Sequence, residues 1–205
     1  MLNSVSSSHS EESPRRRLSA DERRRQLISI GLSRIIETPI QDLSLDQIAV
    51  EAGISRSLLF HYFPTKTDFY GACIEAAGRR VLRNTAPDPD LSGADQVAQV
   101  LGALIAQIIR RRDWWVTLVR PQESAIPQVS EMLDSVMSVN TDRVVEALGL
   151  APGRRAVVHA WWAYVEDRAL SLTTESPEAV ADLVTECLAG LDALLAVNEP
   201  YAREA

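Results

Sequence analysis

Hydrophobic residues recur at helical spacing along most of the chain, and no segment shows the alternation that is typical of a strand. Isoleucine and leucine side chains predict a first helix, which is capped by Ser19 and ends at Thr38-Pro39. After a break at residues 86–93, an apolar stripe over residues 97–108 predicts a long helix that closes at Arg110-Arg111-Arg112. Later helices are predicted over residues 113–119, 128–149, 152–174 and 177–196. The pattern therefore predicts an all-α protein.

Residues 44–69 read SLDQIAVEAGISRSLLFHYFPTKTDF and contain the signals of two short helices joined by a tight turn. Ser44 and Gln47 have the spacing of a capping box, in which each side chain bonds the other residue's backbone N–H. Gly53 suits the positive φ of the turn. Ser55 is the expected cap of the second helix, from Arg56 to about Tyr62.

Two helices with this spacing match a helix-turn-helix, in which the second helix enters the major groove of DNA. An ordinary helical hairpin inside a bundle has the same geometry. The polar start of the second helix, Ser55-Arg56-Ser57, favours DNA because it could reach base edges and phosphates. Pro64 ends this helix, and Thr65 is the expected cap of a longer fourth helix.

The net charge of −7 argues at first against nucleic acid, but the charge is unevenly distributed. Residues 1–85 carry 12 Lys+Arg against 10 Asp+Glu, a net of +2, whereas residues 86–205 carry 9 against 18, a net of −9. A phosphate-binding end on an acidic body would have this distribution, and so would a solvated helix face with additional arginines. Lys66, the only lysine among 21 basic residues, lies at a helix N-terminus, where backbone N–H groups favour phosphate.

Other features of the composition limit where the protein acts. Cys73 and Cys187 lack the spacing of a metal or redox site, so both are predicted to be buried. Without an apolar run long enough for a membrane helix, or the apolar centre of a signal peptide, the protein is predicted to be cytoplasmic, with no membrane association. Residues 1–18 are predicted to be a disordered tail, whose Arg15-Arg16-Arg17 could reach a minor groove or remain solvated.

The segment DQIAVEAGISRSLLFHYFPTKTDF resembles the N-terminal DNA-binding domain of TetR-family transcriptional regulators, whose pattern runs roughly IA-x-x-AGVS-x-x-x-x-Y-x-YF-x-x-K-x-x-L. The resemblance covers about residues 22–80. It implies a helix-turn-helix domain at residues 19–80 and a helical ligand-binding and dimerisation domain at residues 81–200. A homodimer that represses transcription from a palindromic double-stranded DNA operator, until a small hydrophobic molecule releases it, would be typical of the family. No catalytic residue, metal or cofactor is expected.

The resemblance also implies which residues contact DNA. Ser44 corresponds to a capping residue that contacts phosphate, and Ser55, Arg56 and Ser57 correspond to the start of the recognition helix. Arg56 is expected to contact a guanine through O6 and N7.

The remaining expected contacts lie further along the same segment. His61 and Tyr62 fall on the HY pair, of which Tyr62 is the expected phosphate ligand, and Lys66 matches a lysine that contacts the DNA backbone. Leu58 and Phe60 depart from the pattern, because Thr and Tyr are frequent there. Two hydroxyls that could touch DNA are therefore missing, although Leu58 could contact a thymine methyl or pack against the protein.

Apolar side chains of the later helices are candidates for a ligand pocket. The predicted lining residues are Trp115, Met132, Met137, Trp161 and Tyr164. Neighbouring residues on a helix point about 100° apart, so one Trp of each adjacent pair is expected to face the interior and the other an interface or a cavity rim. Trp115 and Trp161 are the expected inward members.

The last helix carries an apolar stripe that is broad enough to contact both its own domain and a partner. The predicted dimer-interface residues are Leu183, Val184, Cys187, Leu188, Leu191 and Leu195. A twofold dimer would place two recognition helices in successive major grooves, whereas a monomer would use this stripe for its own core.

Two other classes of function are alternatives to DNA binding. An enzyme needs a convergent catalytic set, and the three histidines, His9, His61 and His159, lie in separate segments. A protein-binding adaptor could keep the helix-turn-helix fold without DNA affinity, and Leu58 and Phe60 are compatible with that alternative. Salt-dependent binding to duplex DNA distinguishes the regulator from the adaptor.

Overall fold

The computed structural model describes residues 18–35, 43–119, 127–174 and 176–197. Within these ranges it contains nine α-helices, one 3-10 turn at Pro152–Arg154 and no strand, which confirms the all-α prediction. The helices are α1 (Ala20–Ile35), α2 (Leu45–Glu51), α3 (Arg56–Tyr62), α4 (Lys66–Asn84), α5 (Gly93–Arg110), α6 (Arg112–Val119), α7 (Pro127–Ala147), α8 (Arg155–Ser171) and α9 (Pro177–Val197). The predicted tail with its three arginines and the predicted first-helix end at Thr38-Pro39 lie outside the described residues.

Side-chain caps begin the helices of the N-terminal half. The hydroxyl of Ser19 accepts a hydrogen bond from the third residue of α1. Thr65 and Asp68 form a complete capping box at the start of α4. At α2, the Ser44 hydroxyl accepts from the Gln47 backbone N–H at 3.4 Å, but the return bond predicted for the Gln47 side chain is not formed. The caps fix where these helices start, because they satisfy backbone N–H groups that have no partner within the helix.

α1 crosses α4 at very short distance and holds the helix-turn-helix against the rest of the protein. An added Cβ at Gly31 would lie 2.5 Å from Cζ of Phe69, so this approach requires glycine. The Phe69 ring is fully buried and packs edge-on against Phe63 with ring centroids 5.0 Å apart. Through Phe63, the residue that follows α3, this packing also connects the second helix of the helix-turn-helix to α4.

The C-terminal half is a bundle in which α5 is enclosed by α7, α8 and α9. The predicted stripe over residues 97–108 faces this core, as the buried side chains of α5 confirm. Trp115 and Trp161 face inward as predicted, but the expected outward position of Trp162 is wrong, because its side chain is only 2% exposed. Since α8 packs between α7 and α9, both faces are occupied: Trp161 donates to the Cys187 carbonyl of α9 at 2.9 Å, and Trp162 donates to the Thr141 hydroxyl of α7 at 3.1 Å.

Both cysteines are buried, as predicted. Burial raises the pKa of the Cys73 thiol to about 12 and that of the Cys187 thiol to about 11. Their thiolate forms are therefore scarce near neutral pH, and both behave as small core residues. Among the helices in the described ranges, none has the length and apolar character needed to cross a membrane.

Candidate nucleic-acid interface

The turn between α2 and α3 sets the direction of the recognition helix. Gly53 has a φ of 65°, the left-handed conformation that the turn requires, and Ile54 then donates its N–H to the Ala49 carbonyl at 3.0 Å. The Ser55 hydroxyl accepts from the Leu58 backbone N–H at 3.1 Å and caps α3. The backbone at the start of α3 is thus fixed before any DNA contact is made.

α3 presents a polar surface to solvent. Its buried side is formed by Leu59, which is fully buried, and by Phe63 immediately after the helix. Arg56, Ser57 and His61 are exposed and lie within about 140° of the helix circumference, at 100° per residue. A helix with this division can enter a major groove with its exposed side while its apolar side remains packed.

Arg56 is held in place by two neighbours. Its guanidinium lies 2.9 Å from the carboxylate of Asp46 on α2 and 5.4 Å from the centroid of the Phe60 ring. The ion pair is exposed, and pairs of this kind are worth about 0–1 kcal/mol, so a base could replace Asp46 as the partner of Arg56 at low cost. Asp46 was not found by sequence reasoning, because no local pattern shows that α2 and α3 bring residues ten positions apart into contact.

The departures from the family pattern have different environments. Leu58 is 39% exposed at the surface, where its side chain is available for an apolar contact. Phe60 is half-buried beneath the Arg56 guanidinium. A phenyl ring keeps this cation–π contact, which a tyrosine would also provide, and loses only the hydroxyl.

Three expected phosphate ligands flank the recognition helix. Ser44, Tyr62 and Lys66 are half-buried, at the start of α2, the end of α3 and the start of α4. The Tyr62 ring packs edge-on against His61 with centroids 5.7 Å apart, which limits its orientations. The eight residues predicted to contact DNA all lie on this one segment of the structure: at the N-cap of α2, at the N-cap of α3 and within α3, and at the N-terminus of α4.

Two arginines of α1 that sequence reasoning did not single out contact this segment. Arg23 donates to the Ala52 carbonyl at the end of α2, at 3.2 Å. The guanidinium of Arg24 lies 5.0 Å from the centroid of the Phe63 ring, at the end of α3. These contacts are non-local, so only their basic character was visible in the sequence.

The five predicted pocket residues are not brought together. Trp161 and Tyr164 line an open groove between α8 and α9, and Met132 lines a different groove between α4 and α7. Trp115 and Met137 are buried in the core. A crevice at the junction of α1, α4, α5 and α6 contains none of the five.

The predicted interface residues of α9 divide into two groups. Leu183, Cys187 and Leu191 are buried within the protomer itself, because α9 packs on α5 and α8. Val184, Leu188 and Leu195 are half-buried. The apolar surface that remains on this side is the α8–α9 groove, whose walls include the exposed Tyr164 and Leu194 and several small residues: Ala156, Ala160, Gly190 and Ala193.

The histidines that the structure describes lie apart from one another. No group of three or more His, Cys, Asp or Glu side chains in the described part of the chain is arranged to hold a metal ion. His61 lies on the recognition helix, and His159 lies 3.5 Å from the Thr141 hydroxyl between α7 and α8. His9 lies outside the described residues.

Comparison with known proteins agrees with this geometry. Residues 29–73, which include α2, the turn, α3 and the start of α4, match the family model described as "Bacterial regulatory proteins, tetR family". This match confirms the resemblance of the N-terminal segment to the TetR family. A search of the curated proteins finds no significant match. A TetR-family transcriptional regulator from Streptomyces coelicolor is similar in structure over most of both chains, with a TM-score of 0.73, 26% identity, and coverage of 90% of this chain and 85% of that one.

Two further solved structures show the same fold. A TetR-like transcriptional regulator from Rhodococcus sp. RHA1 has 24% identity and a TM-score of 0.62, covering 86% of this chain and 99% of that one. GusR of Salmonella enterica has 18% identity and a TM-score of 0.64, with coverage of 87% and 97%. These two structures show the fold alone, whereas the family-model match and the Streptomyces coelicolor structure support a DNA-binding transcriptional regulator.

Proposed function

We propose that this protein is a TetR-family repressor that binds a palindromic DNA operator as a homodimer and leaves it when a small, largely apolar molecule binds. The observation that carries the DNA-binding part is the outward polar surface of α3. Arg56, Ser57 and His61 are exposed there, while Leu59 anchors the helix from the other side. A helical hairpin buried in a bundle would instead pack this surface against the protein.

The proposed contacts divide into base readout and phosphate binding. Arg56 lies near the N-terminus of α3, the part of a recognition helix that contacts base edges, and its guanidinium can bond both acceptors of a guanine. Ser44, Tyr62 and Lys66 flank the helix, where they would contact backbone phosphates. Ser55, Ser57, Leu58 and His61 complete the proposed surface.

Dimerisation is proposed to use the α8–α9 side of the molecule. The groove there is apolar and contains small residues at Ala160, Gly190 and Ala193, which would let helices of a second protomer approach closely. Half-buried Val184 and Leu188 lie on a different side of α9, where Val184 faces Gly102 of α5, so they are not part of this groove. One recognition helix reads only a half-site, so a twofold pair is what a palindromic operator requires. Light scattering on the purified protein should give twice the protomer mass.

The experiment that tests the function is selection of bound fragments from the source genome, followed by titration of the best fragment. Tyr62→Phe and Lys66→Ala should weaken binding to the selected fragment and to unrelated duplex alike, because both contact phosphates. Arg56→Ala should in addition relax the preference at one base position, where loss of a bidentate contact costs about 1–3 kcal/mol.

Arg155→Ala is a matched control for Arg56→Ala. Arg155 also forms an exposed ion pair, with Asp142 at 2.7 Å, but it lies in the C-terminal bundle. It should leave DNA affinity unchanged. If the Arg56, Tyr62 and Lys66 variants all bind genomic DNA as the parent does, the assigned surface is not the DNA interface.

A protein-binding adaptor is the second candidate, because Leu58 and Phe60 replace residues that would supply hydroxyls to DNA. The two functions differ in their salt dependence. A regulator that contacts several phosphates should lose duplex affinity steeply and linearly in log salt. An adaptor should show no duplex binding even at low salt.

A further inference from the structure

A small crevice lies where the DNA-binding domain meets the C-terminal bundle. Its volume is about 140 Å³. The lining residues come from α1, α4, α5 and α6 and from the junction of the last two: Leu32, Ile35, Ile74, Ala77, Arg80, Val81, Asn84, Gln107, Arg110, Arg111 and Trp114. One part of this lining is apolar, with aliphatic side chains and an indole, and the other part is cationic.

The charge of the crevice is unbalanced. Arg80, Arg110 and Arg111 all line it, and no Asp or Glu does. Among the described residues, none of the three arginines forms an ion pair, whereas Arg79, the neighbour of Arg80 on α4, pairs with Glu75. Burial lowers the pKa of Arg111, and the nearby charges of Arg80 and Arg110 lower it further. Bringing like charges together is unfavourable, and an anion between them would remove that cost.

A neutral donor adds to this positive surface. Gln107 lines the crevice together with the arginines and Asn84. Its Oε1 accepts from the Asn84 amide at 3.3 Å, but its buried Nε2 has no acceptor among the described residues. A buried N–H group without an acceptor costs about 1–3 kcal/mol, so a ligand oxygen at this position would be favoured.

DNA phosphate is a poor candidate for this anion. Along α4, Arg80 lies 14 residues beyond Lys66, a distance of roughly 20 Å at 1.5 Å per residue. The crevice is therefore far from the recognition helix, at the opposite end of α1 from Arg24. A phosphodiester also has no apolar part that could contact the apolar lining of the crevice.

We propose that the crevice binds a small carboxylate whose apolar part is about the size of one aromatic ring. The carboxylate would lie between Arg80, Arg110 and Arg111 and accept from Gln107, and the apolar part would contact Trp114 and the aliphatic side chains of α1 and α4. An engineered cavity of about 150 Å³ binds benzene, so a volume of this order admits one ring. The role of this carboxylate as the releasing effector rests on the function proposed above.

Binding is tested on the full-length protein by calorimetry and tryptophan fluorescence. The probes are benzoate, phenylacetate and hexanoate, each with its primary amide, and acetate as a carboxylate without a large apolar part. At least one of the three larger carboxylates should bind at least tenfold more tightly than its amide and than acetate. Ligand binding should change the tryptophan fluorescence, and Trp114→Phe should remove this change.

Three variants assign the binding to the crevice. Arg111→Gln should reduce carboxylate affinity tenfold or more, and Arg111→Lys, which keeps the charge, should reduce it less. Ala77→Leu should block binding by filling the space between α4 and α5. Arg79→Gln removes one charge from the same helix but outside the crevice, so it should bind the carboxylate as the parent does. Circular dichroism confirms that each variant is folded.

Three results of the binding experiments would overturn the proposal. None of the carboxylates binds, the amides bind as tightly as the carboxylates, or Arg111→Gln and Arg79→Gln lose the same amount of carboxylate affinity. A further contrary result is weaker DNA binding by ligand-free Arg111→Gln with no change in carboxylate affinity, which would assign these arginines to DNA. If carboxylate binding depends on Arg111 but does not release DNA, the crevice site is supported and the proposed release mechanism fails.

Discussion

Arg143 provides the sharpest stability test in the structure. It lies on α7 and donates to the Leu82 carbonyl at 3.0 Å, the Thr85 carbonyl at 2.8 Å, the Thr85 hydroxyl at 3.0 Å and the Asn140 side-chain oxygen at 2.9 Å. Thr85 and Asn140 are fully buried. Arg143→Met keeps the aliphatic bulk but leaves these acceptors without their charged donor.

The expected cost follows from the groups that lose their partner. Hydrogen bonds to charged groups contribute about 1.5–3 kcal/mol each, but they are not additive, and removing the half-buried guanidinium recovers its desolvation cost. A net loss of about 2–4 kcal/mol in the free energy of unfolding is expected. In a chain of this size it would lower the melting temperature by about 2–4 °C per kcal/mol.

Urea unfolding followed by circular dichroism, at one fixed protein concentration, measures this loss. Arg79→Met is the matched control, because Arg79 forms an exposed pair with Glu75 and its removal should cost less than about 0.5 kcal/mol. Equal midpoints for the two variants would refute the inference that Arg143 fastens α4 to α7. Combining Arg143→Met with Thr85→Val gives a double-mutant cycle, in which the second change should cost much less than it does alone.

Three further predictions concern the packing and the titratable groups. Gly31→Ala should destabilise the protein by about 1–3 kcal/mol, because the new Cβ would lie 2.5 Å from the buried Phe69 ring, whereas Gly102→Ala, which meets only ordinary contacts, should be neutral or stabilising. Burial raises the pKa of the Glu166 carboxyl above its ordinary value of 4.5, so the native state loses stability as the pH rises above 4.5. Glu166→Gln should therefore raise the melting temperature near neutral pH, and the difference in melting temperature from the parent should shrink toward pH 4.5. Iodoacetamide should not label Cys73 in the native protein, because burial raises the pKa of its thiol to about 12, and should label it in urea.

Each of these three has an outcome that contradicts it. A stable Gly31→Ala variant would mean that the α1–α4 contact relaxes easily. If the melting temperatures of Glu166→Gln and the parent differ by the same amount at every pH, the effect does not come from ionisation of Glu166. Rapid labelling of Cys73 in the folded protein would show that α1 opens from α4 under native conditions, since the sulfur faces the Ile28 carbonyl of α1.

The parts of this protein that the sequence predicted well are those that depend on neighbours a few residues apart. The Ser55 and Thr65 caps, the positive φ of Gly53 and the buried stripe of α5 all follow from such local spacing. The helix-turn-helix could also be predicted, from the family motif, because its two helices and turn are formed by one continuous segment of the chain.

Features that depend on which helices become neighbours could not be predicted in this way. The run Arg110-Arg111-Arg112 fits the negative end of a helix dipole, and sequence reasoning assigned it no other role. In the structure Arg112 donates to the carbonyls of Leu170 and Leu172 at the end of α8, while Arg110 and Arg111 line the crevice with a third arginine from α4. Hydrophobic spacing likewise places Leu183 on an apolar stripe of α9, but it does not show that this side chain is already buried within the protomer.

α4 is the element through which the two ends of the molecule are joined. Its first residue is Lys66, beside the recognition helix, and its C-terminal carbonyls at Leu82 and Thr85 are fixed to α7 by Arg143. The crevice lies along the C-terminal half of α4, from Ile74 to Asn84, and is shared with α1. A ligand there cannot easily shift the clamped end of α4, because buried hydrogen bonds would have to break. If a ligand in the crevice releases DNA, we therefore expect α1 and the N-terminal half of α4 to move relative to a fixed C-terminal bundle. This movement would change the position of α3 rather than its internal structure.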